Sequence, residues 1–274
     1  MPQKRDLDPT ASPAHFFGAE VRREREARKM SQPALGKFIP CDGSQISRVE
    51  GGEWPGDVKF AEGCDKAFPE RGGWFTRFYE GSPLWADLPA WFIGFAVQES
   101  RATVIRWYEP LLVPGLLQTG PYARAILGWK PDSTDAESNL AGRLERQRIL
   151  DRDNPPELRI LLTESVLYYE VGDASVMADQ CAHLATLAGR PFVSIQVVPE
   201  VARAYGGRGG GFAIATEGTT DVAAYLESSV HGVTVTDATM ITRAVRVFDA
   251  LRTDALSWTA TLDLLHKAVE RWNT

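Results

Sequence analysis

The residues from Gly43 to Arg48 include small polar side chains and one arginine, types that can hydrogen-bond to the edges of DNA base pairs. Arg48 is the one long donor among them. An arginine can pair bidentately with guanine O6 and N7, a contact worth about 1–3 kcal/mol of discrimination. A glutamine placed earlier is suited to the sugar-phosphate backbone, where it fixes register. The predicted DNA-contacting residues are Gln32, Gly43, Ser44, Gln45, Ser47 and Arg48.

Two short helices joined by a tight polar turn are needed to position these residues. In the first helix, Leu35 and Phe38 supply the apolar side. The second helix is predicted over 43–50, with Ile46 and Val49 facing inward at a spacing of i, i+3. This arrangement leaves the polar residues of the second helix on its outer side, which is the layout of a helix-turn-helix.

The ends of both helices carry recognisable signals. Ser31 and Asp42 are suitable N-caps, and the pair Gly51-Gly52 ends the second helix. An ordinary helical hairpin with polar residues on its solvent side would have the same spacing, because short helix pairs are common. Spacing alone therefore leaves DNA binding and a purely structural hairpin both open.

The run SQPALGKF, followed by GSQISRVEGG, resembles the repressor-type helix-turn-helix known as the XRE type. The resemblance implies that Gln32, Ser44 and Arg48 contact phosphates and bases, whereas Glu50 and Gly51 have structural roles.

Two positions depart from the family pattern. Gly36 stands where a small alanine usually packs between the helices, which weakens the helix by about 1 kcal/mol. Gly43 stands where a side chain often contacts a base, which shortens the set of base-contacting residues.

The chain order predicts a multidomain protein with an all-α N-terminal domain and an α/β or α+β C-terminal domain. Strand-like runs at 103–108, 158–163, 192–198, 212–216 and 222–226 alternate with helical segments, which predicts a sheet of about four or five strands. The predicted divisions are a disordered lead over 1–13, a helix-turn-helix domain over 14–70, an aromatic-rich helical connector over 71–101 and a regulatory or partner-binding domain over 102–274.

The second half resembles the C-terminal domain of the WhiJ-like regulators of actinomycetes. The segments that carry the resemblance are YEPLLVPGLLQTGPYARAIL, RLERQRIL, VVPE and GGGFAIA with VAAYLES. It implies transcriptional control and a small partner protein encoded nearby, and it does not imply a catalytic activity or a known ligand.

The connector and the C-terminal domain also hold side chains that could bind an effector or partner. These candidates are Trp91, Tyr108, Glu109, Arg124 and Arg208. The aromatic residues of the connector could form a ligand cage, but at helical spacing they favour an interdomain core.

Paired charges in the C-terminal half are open to two interpretations. Glu109 with Arg124, and Glu164 with Glu227, are conceivable acid–base pairs, although salt bridges are favoured. The glycine-rich run 206–211 is read as a hairpin loop or flap, because a phosphate cradle needs a helix next and a strand follows.

Composition excludes several classes of function. The net charge is −6, but residues 1–80 are electrically neutral, so the excess acid lies beyond the predicted DNA-binding domain. The cysteines and four histidines are too scattered for a disulfide framework or a metal site, and no G-x-S-x-G motif is present. The polar start and the absence of a long apolar run predict a cytoplasmic protein without a membrane span.

The sequence thus predicts a DNA-binding transcriptional regulator, a homodimer on double-stranded DNA, whose C-terminal domain dimerises and senses a small-molecule effector or a partner. The alternative is an antitoxin-like protein that binds a small partner protein and autoregulates its operon. Neither hypothesis involves an enzyme activity, a cofactor or a metal.

Overall fold

A computed structural model describes residues 9, 13–39, 43–54, 56–80, 90–128, 136–202, 205–228 and 232–274. The chain divides into two units, Met1–Val97 and Gln98–Thr274. The predicted lead over 1–13 lies almost wholly outside the described residues, and the other predicted boundaries stay predictions. None of the helices in the described ranges has both the length and the apolar character that a membrane span needs.

The described part of the first unit is helical. Its elements are α1 (Pro13–Ala27), α2 (Gln32–Leu35), α3 (Gly43–Glu50), α4 (Val58–Ala67), α5 (Trp74–Glu80) and α6 (Ala90–Glu99), the last of which crosses the boundary between the units. The helix predicted over 43–50 is confirmed. Asp42, its predicted N-cap, lies outside the described residues.

The core of this unit forms around Phe17, which is fully buried on the inner side of α1. Its ring makes edge contacts with Phe60 on α4 and with Phe75 on α5. Ile46 and Val49 bury the inner side of α3, as their i, i+3 spacing predicts. The aromatic residues of α5 that the sequence assigned to a connector therefore belong to this helical core.

One apolar residue was assigned to the wrong side. Phe38 was expected to face inward with Leu35, but its side chain is 43% exposed, while Ile39 is buried. The reason is that α2 ends at Leu35 and a turn follows, so the helical phase does not continue to Phe38. Ser31 caps α2 as predicted, because its hydroxyl accepts a hydrogen bond from the Ala34 amide at 3.3 Å.

The second unit combines one sheet with helices that separate and follow its strands along the chain. The strands are β1 (Val104–Glu109), β2 (Glu157–Thr163), β3 (Val193–Val198), β4 (Phe212–Glu217), β5 (Thr220–Glu227) and β6 (Gly232–Val235). The helices that follow α6 are α7 (Gly120–Gly128), α8 (Ala136–Gln147), α9 (Ala174–Leu187), α10 (Ala238–Asp254) and α11 (Trp258–Trp272).

The described residues form one six-stranded mixed sheet in the order β3-β2-β1-β4-β5-β6. The first three strands are parallel, and the last three are antiparallel to their neighbours. The predicted total of four or five strands is therefore too low. The missed strand is β6, a four-residue segment that begins with glycine and is too short for an alternating pattern to identify it.

The glycine-rich run does not form a hairpin loop, and the flap that the sequence also allowed stays a prediction. It connects β3 with β4, which are separated in the sheet by β2 and β1. The segment Tyr205–Gly209 instead forms a turn of 3-10 helix before β4 begins at Phe212.

The segment after β1 is a buried loop with a short 3-10 helix, Gly115–Leu117, as its prolines and glycine predicted. Buried backbone groups need hydrogen-bond partners, and here glutamine side chains supply them. Gln118 donates to the Val113 carbonyl at 2.7 Å. Gln147, at the end of α8, donates to the carbonyls of Gly115 and Gln118 at 2.8 Å each.

A third glutamine fixes the far end of this loop. Gln180 of α9 is fully buried, donates to the Leu117 carbonyl at 2.8 Å and accepts from the Thr119 amide at 2.8 Å. The loop therefore holds one shape at the carboxyl end of β1.

Replacing Gln180 by methionine keeps the volume but leaves the two backbone groups of the loop without partners. Each buried unsatisfied group costs about 1–3 kcal/mol, so we expect the second unit to lose about 2–4 kcal/mol of unfolding free energy. Urea denaturation of the full chain, followed by hydrogen exchange of the sheet amides, measures this loss. Asp179→Met, at the exposed neighbouring position, is the matched control and should change stability little. Equal losses in both variants would contradict the role given to the two hydrogen bonds of Gln180.

Candidate functional site

The outer side of α3 presents two of the predicted base-contacting residues, Ser47 and Arg48. Ser47 and Arg48 are exposed, Gln45 is partly buried, and the fully buried Ile46 and Val49 lie opposite them. Gly43 and Ser44 lie in the first turn of α3, and the Ser44 side chain is outside what the structure describes. The helix thus offers a polar exposed side with one arginine on it.

The carboxylate of Glu50, the last residue of α3, is 1% exposed and holds three helices together. Arg25 of α1 donates to it bidentately, at 2.5 Å from Nε and 2.7 Å from Nη2. Gln32, the first residue of α2, donates from Nε2 at 2.9 Å. Arg22 donates to the Glu50 carbonyl at 2.7 Å, which satisfies a backbone group at the end of the helix.

This network assigns Gln32 a contact that the sequence did not predict. Its amide nitrogen is bound to Glu50, so Gln32 connects α2 to the end of α3. Its predicted contact with the sugar-phosphate backbone stays a prediction. The sequence also missed Arg22 and Arg25, whose spacing on α1 could have indicated that both face one partner.

The turn between α2 and α3 adds two exposed residues beside this surface, Lys37 and Phe38. A lysine close to a recognition helix is suited to a phosphate contact. The position of Lys37, two residues after the end of α2, is the sequence signal that could have identified this candidate contact.

The candidate effector residues occupy separate places. Trp91 lies in α6, and its side chain is outside the described residues. Arg124 is exposed on α7, and Arg208 is exposed on the 3-10 turn before β4. Tyr108 and Glu109 are the last two residues of β1, and both are buried.

Glu109 lies beside Glu227, a neighbour that the sequence did not predict. The Glu227 carboxyl lies within hydrogen-bond reach of Glu109, and the Trp107 indole donates to Glu109 Oε1 at 3.2 Å. Burial raises the pKa of Glu109 well above its ordinary range, and the nearby charge of Glu227 raises this pKa further. The register of β1, β4 and β5 causes this pairing, which sequence spacing does not reveal.

Glu164, which the sequence offered with Glu227 as a conceivable acid–base pair, lies at the end of β2. Glu164 instead accepts a hydrogen bond from the Glu200 amide at 3.2 Å, which connects the ends of β2 and β3.

A partly buried arginine of α8 lies near the carboxyl pair. Arg143 donates to Gln118 Oε1 at 2.6 Å and interacts with the charge of Glu227. Burial, followed by repulsion from Arg146, lowers the pKa of Arg143 to about 10. The carboxyl end of β1 therefore combines acidic, basic and aromatic side chains in a poorly hydrated place.

Metal ligation finds no support in the described part of the chain, where no three histidine, cysteine or acidic residues are grouped closely enough to hold an ion. Cys64 and Cys181 are buried free thiols, and burial raises the pKa of Cys181 to about 11. Cys41 lies outside the described residues.

Comparison with protein families gives one match. The model of a family described as a domain of unknown function, DUF5753, matches residues 92–267, which is more than half of the chain. No curated protein and no solved structure matches the chain.

Replacing Glu50 by glutamine tests the network that holds α3. The change removes the charge from a buried carboxylate and deprives Arg25 of its bidentate ion pair, so we expect the first unit to lose about 3 kcal/mol of unfolding free energy. Hydrogen exchange of the α1 and α3 amides in the full chain during urea titration measures this loss. Glu62→Gln, an exposed change on α4, is the control; a loss below about 0.5 kcal/mol at Glu50, the usual size for surface substitutions, would contradict the network.

Proposed function

Because this chain belongs to the DUF5753 family, whose description assigns no activity, we propose its function from its own residues. The protein is a sequence-specific DNA-binding transcriptional regulator that inserts α3 into the major groove. The family match begins at residue 92, so this proposal depends on the helical unit that precedes it. The DUF5753 domain is associated with XRE-type regulators, which supports a DNA-binding unit in the same chain.

The observation that carries the proposal is the two-sided character of α3. Its apolar residues are buried, Ser47 and Arg48 are exposed, and Glu50 binds the end of the helix to α1 and α2. A recognition helix needs this combination, because its base-contacting side must be solvent-exposed while its axis is held in a fixed direction.

Arg48 is the proposed specificity residue, with guanine as its base. Ser44, Gln45 and Ser47 supply shorter hydrogen-bonding groups along the same helix, and Gln32 and Lys37 contact the phosphate backbone. Phosphate contacts fix register and base contacts supply specificity, so these two sets make separable contributions to binding.

The chain acts as a homodimer on a site with two-fold symmetry. One recognition helix covers only a few base pairs, and two helices placed in half-sites about 34 Å apart read one site together. The proposal places the protein in the cytoplasm, with the DNA it controls, and assigns no catalytic step to it.

The second unit supplies dimerisation and the response to an effector or partner. Its resemblance to the WhiJ-like regulators of actinomycetes supports this role. The carboxyl end of β1 is the proposed sensing region, because the buried Tyr108 and Glu109 and the partly buried Arg143 place polar and ionisable groups there. Such groups are costly to bury and mark candidate functional sites.

Selection of fragments of the source genome by the full chain, at a stated salt concentration, tests the proposal. We expect enrichment of one site with two-fold symmetry. Arg48→Ala should weaken binding to that site by about 5- to 150-fold, which corresponds to the loss of one bidentate base contact.

The matched control is Arg243→Ala, which removes an exposed arginine from α10 in the second unit. This variant changes the net charge by the same amount as Arg48→Ala, but Arg243 lies outside the proposed DNA-binding unit. It should therefore bind DNA as the unchanged protein does. The proposal is wrong if the unchanged protein enriches no site, or if Arg48→Ala and Arg243→Ala bind the enriched site equally well with intact circular dichroism spectra.

A further inference from the structure

The most exposed large apolar side chains in the described part of the chain lie at one edge of the sheet. Leu111 is 70% exposed, Tyr169 71% and Val201 91%, whereas the other exposed large apolar residues lie between 39% and 51%. These three residues follow β1, β2 and β3 respectively. Because the three strands are parallel neighbours, the segments after them share one edge of the sheet. The three residues are named the strand-end surface.

Hydrogen bonds hold the three segments next to one another. Thr163, the last residue of β2, donates from its hydroxyl to the Pro110 carbonyl at 2.7 Å. The following residue, Glu164, accepts a hydrogen bond from the Glu200 amide at 3.2 Å. Two members of the strand-end surface directly follow Pro110 and Glu200 in the chain, so both lie close to the end of β2.

The third member, Tyr169, is connected to the same point. Its amide donates to the Ser165 carbonyl at 2.9 Å, and the Ser165 hydroxyl lies 2.8 Å from the Thr163 hydroxyl. The Trp272 indole of α11 donates to the Leu167 carbonyl at 2.8 Å, which supports the turn before Tyr169. The exposed side chains therefore project from a fixed backbone. An ordered surface loses little conformational entropy when a partner binds to it.

Acidic residues border the strand-end surface. Glu170 directly follows Tyr169, Glu200 directly precedes Val201, and both carboxylates are exposed. The segments after the three strands, 110–113, 164–173 and 199–202, contain no lysine or arginine and four acidic residues: Glu164, Glu170, Asp173 and Glu200.

Two arginines from other elements bring positive charge near these segments. The Arg271 guanidinium of α11 lies 4.8 Å from the centroid of the Tyr168 ring. Arg208, on the 3-10 turn before β4, interacts with the Tyr108 hydroxyl of β1. The four carboxylates outnumber these two guanidiniums, so the surroundings of the strand-end surface are negatively charged.

Apolar exposure and negative charge together select one class of partner. A large exposed apolar patch with a polar border is typical of an interaction site. A second copy of this chain, docked by two-fold symmetry, would place the same acidic residues against each other. DNA and anionic lipid surfaces would be repelled for the same reason. A polypeptide with apolar and basic residues matches both properties of the surface.

We propose that the strand-end surface is a docking site for a polypeptide segment of another protein, in which apolar side chains are flanked by lysine or arginine. The apolar side chains pack against Leu111, Tyr169 and Val201, and the flanking cations lie opposite Glu170 and Glu200. This inference rests on the partner-binding role proposed for the second unit. It is independent of DNA binding by α3, because only segments of the second unit form the surface.

Selection of phage-displayed random peptides by the immobilised full chain, in the absence of DNA, tests the docking site. We expect the enriched sequences to combine aromatic or aliphatic residues with lysine or arginine. Fluorescence anisotropy of synthetic peptides with these sequences then measures their dissociation constants. The dissociation constants should rise with salt concentration, because salt screens the attraction between the peptide cations and the carboxylates.

Variants of the surface make the test specific. Val201→Ser and Tyr169→Ser change exposed side chains, so both proteins should fold, and each should bind the peptides about 10- to 150-fold more weakly. Val233→Ser makes the same change at an exposed valine of β6 and should leave peptide binding unchanged. Glu170→Gln should weaken binding by about 1.5- to 5-fold and reduce its salt dependence. Glu62→Gln on α4 is its matched control and should do neither.

The docking site is excluded by any of three results. No peptide is enriched, the enriched peptides lack basic residues, or Val201→Ser and Tyr169→Ser bind them as tightly as the unchanged protein with intact circular dichroism spectra. Such a result removes the docking site alone. The failure of DNA binding is recognised separately, by the absence of an enriched DNA site.

Discussion

The helical unit depends on one buried carboxylate, that of Glu50. Arg25 from α1 and Gln32 from α2 both bind it, and Glu50 is itself the last residue of α3, so none of the three helices can shift without breaking a charge-assisted hydrogen bond. Burying a carboxylate is costly, and here the bidentate guanidinium and the amide offset that cost. The consequence is a fixed direction for the exposed side of α3, which includes Arg48. A stiff helix loses little conformational entropy on binding, which is the physical basis for assigning recognition to it.

The second unit uses uncharged amides for a similar purpose. Gln118, Gln147 and Gln180 supply hydrogen bonds to backbone groups of the loop that follows β1, which offsets the cost of burying these groups. The same end of β1 carries the buried Glu109 carboxyl, whose pKa is raised by burial and by the nearby charge of Glu227. A fixed loop beside an ionisable group is the arrangement expected where a local change of charge or ligand is converted into a change of conformation.

Local patterns were sufficient to predict several elements. The spacing of Ile46 and Val49 was sufficient to predict α3 and its buried side. Five strands were predicted to within about two residues of their observed bounds. Phe38 was misplaced because the end of α2 interrupts the helical phase that sequence spacing assumes. The partner of Glu109 was missed because it depends on the register of strands far apart in the chain. Hydrophobic periodicity records which side of an element is buried, whereas strand order and polar partnerships depend on non-local pairing.

The most direct test of base recognition by α3 combines single base-pair replacements in the selected DNA site with the Arg48→Ala variant. Dissociation constants are measured for the unchanged protein and the variant at one salt concentration. The account predicts one symmetry-related guanine whose replacement weakens the unchanged protein by about 5- to 150-fold and leaves the variant unaffected. If the variant instead loses affinity by the same factor on every DNA sequence, Arg48 contacts phosphate alone. In that case α3 does not recognise the base sequence with Arg48.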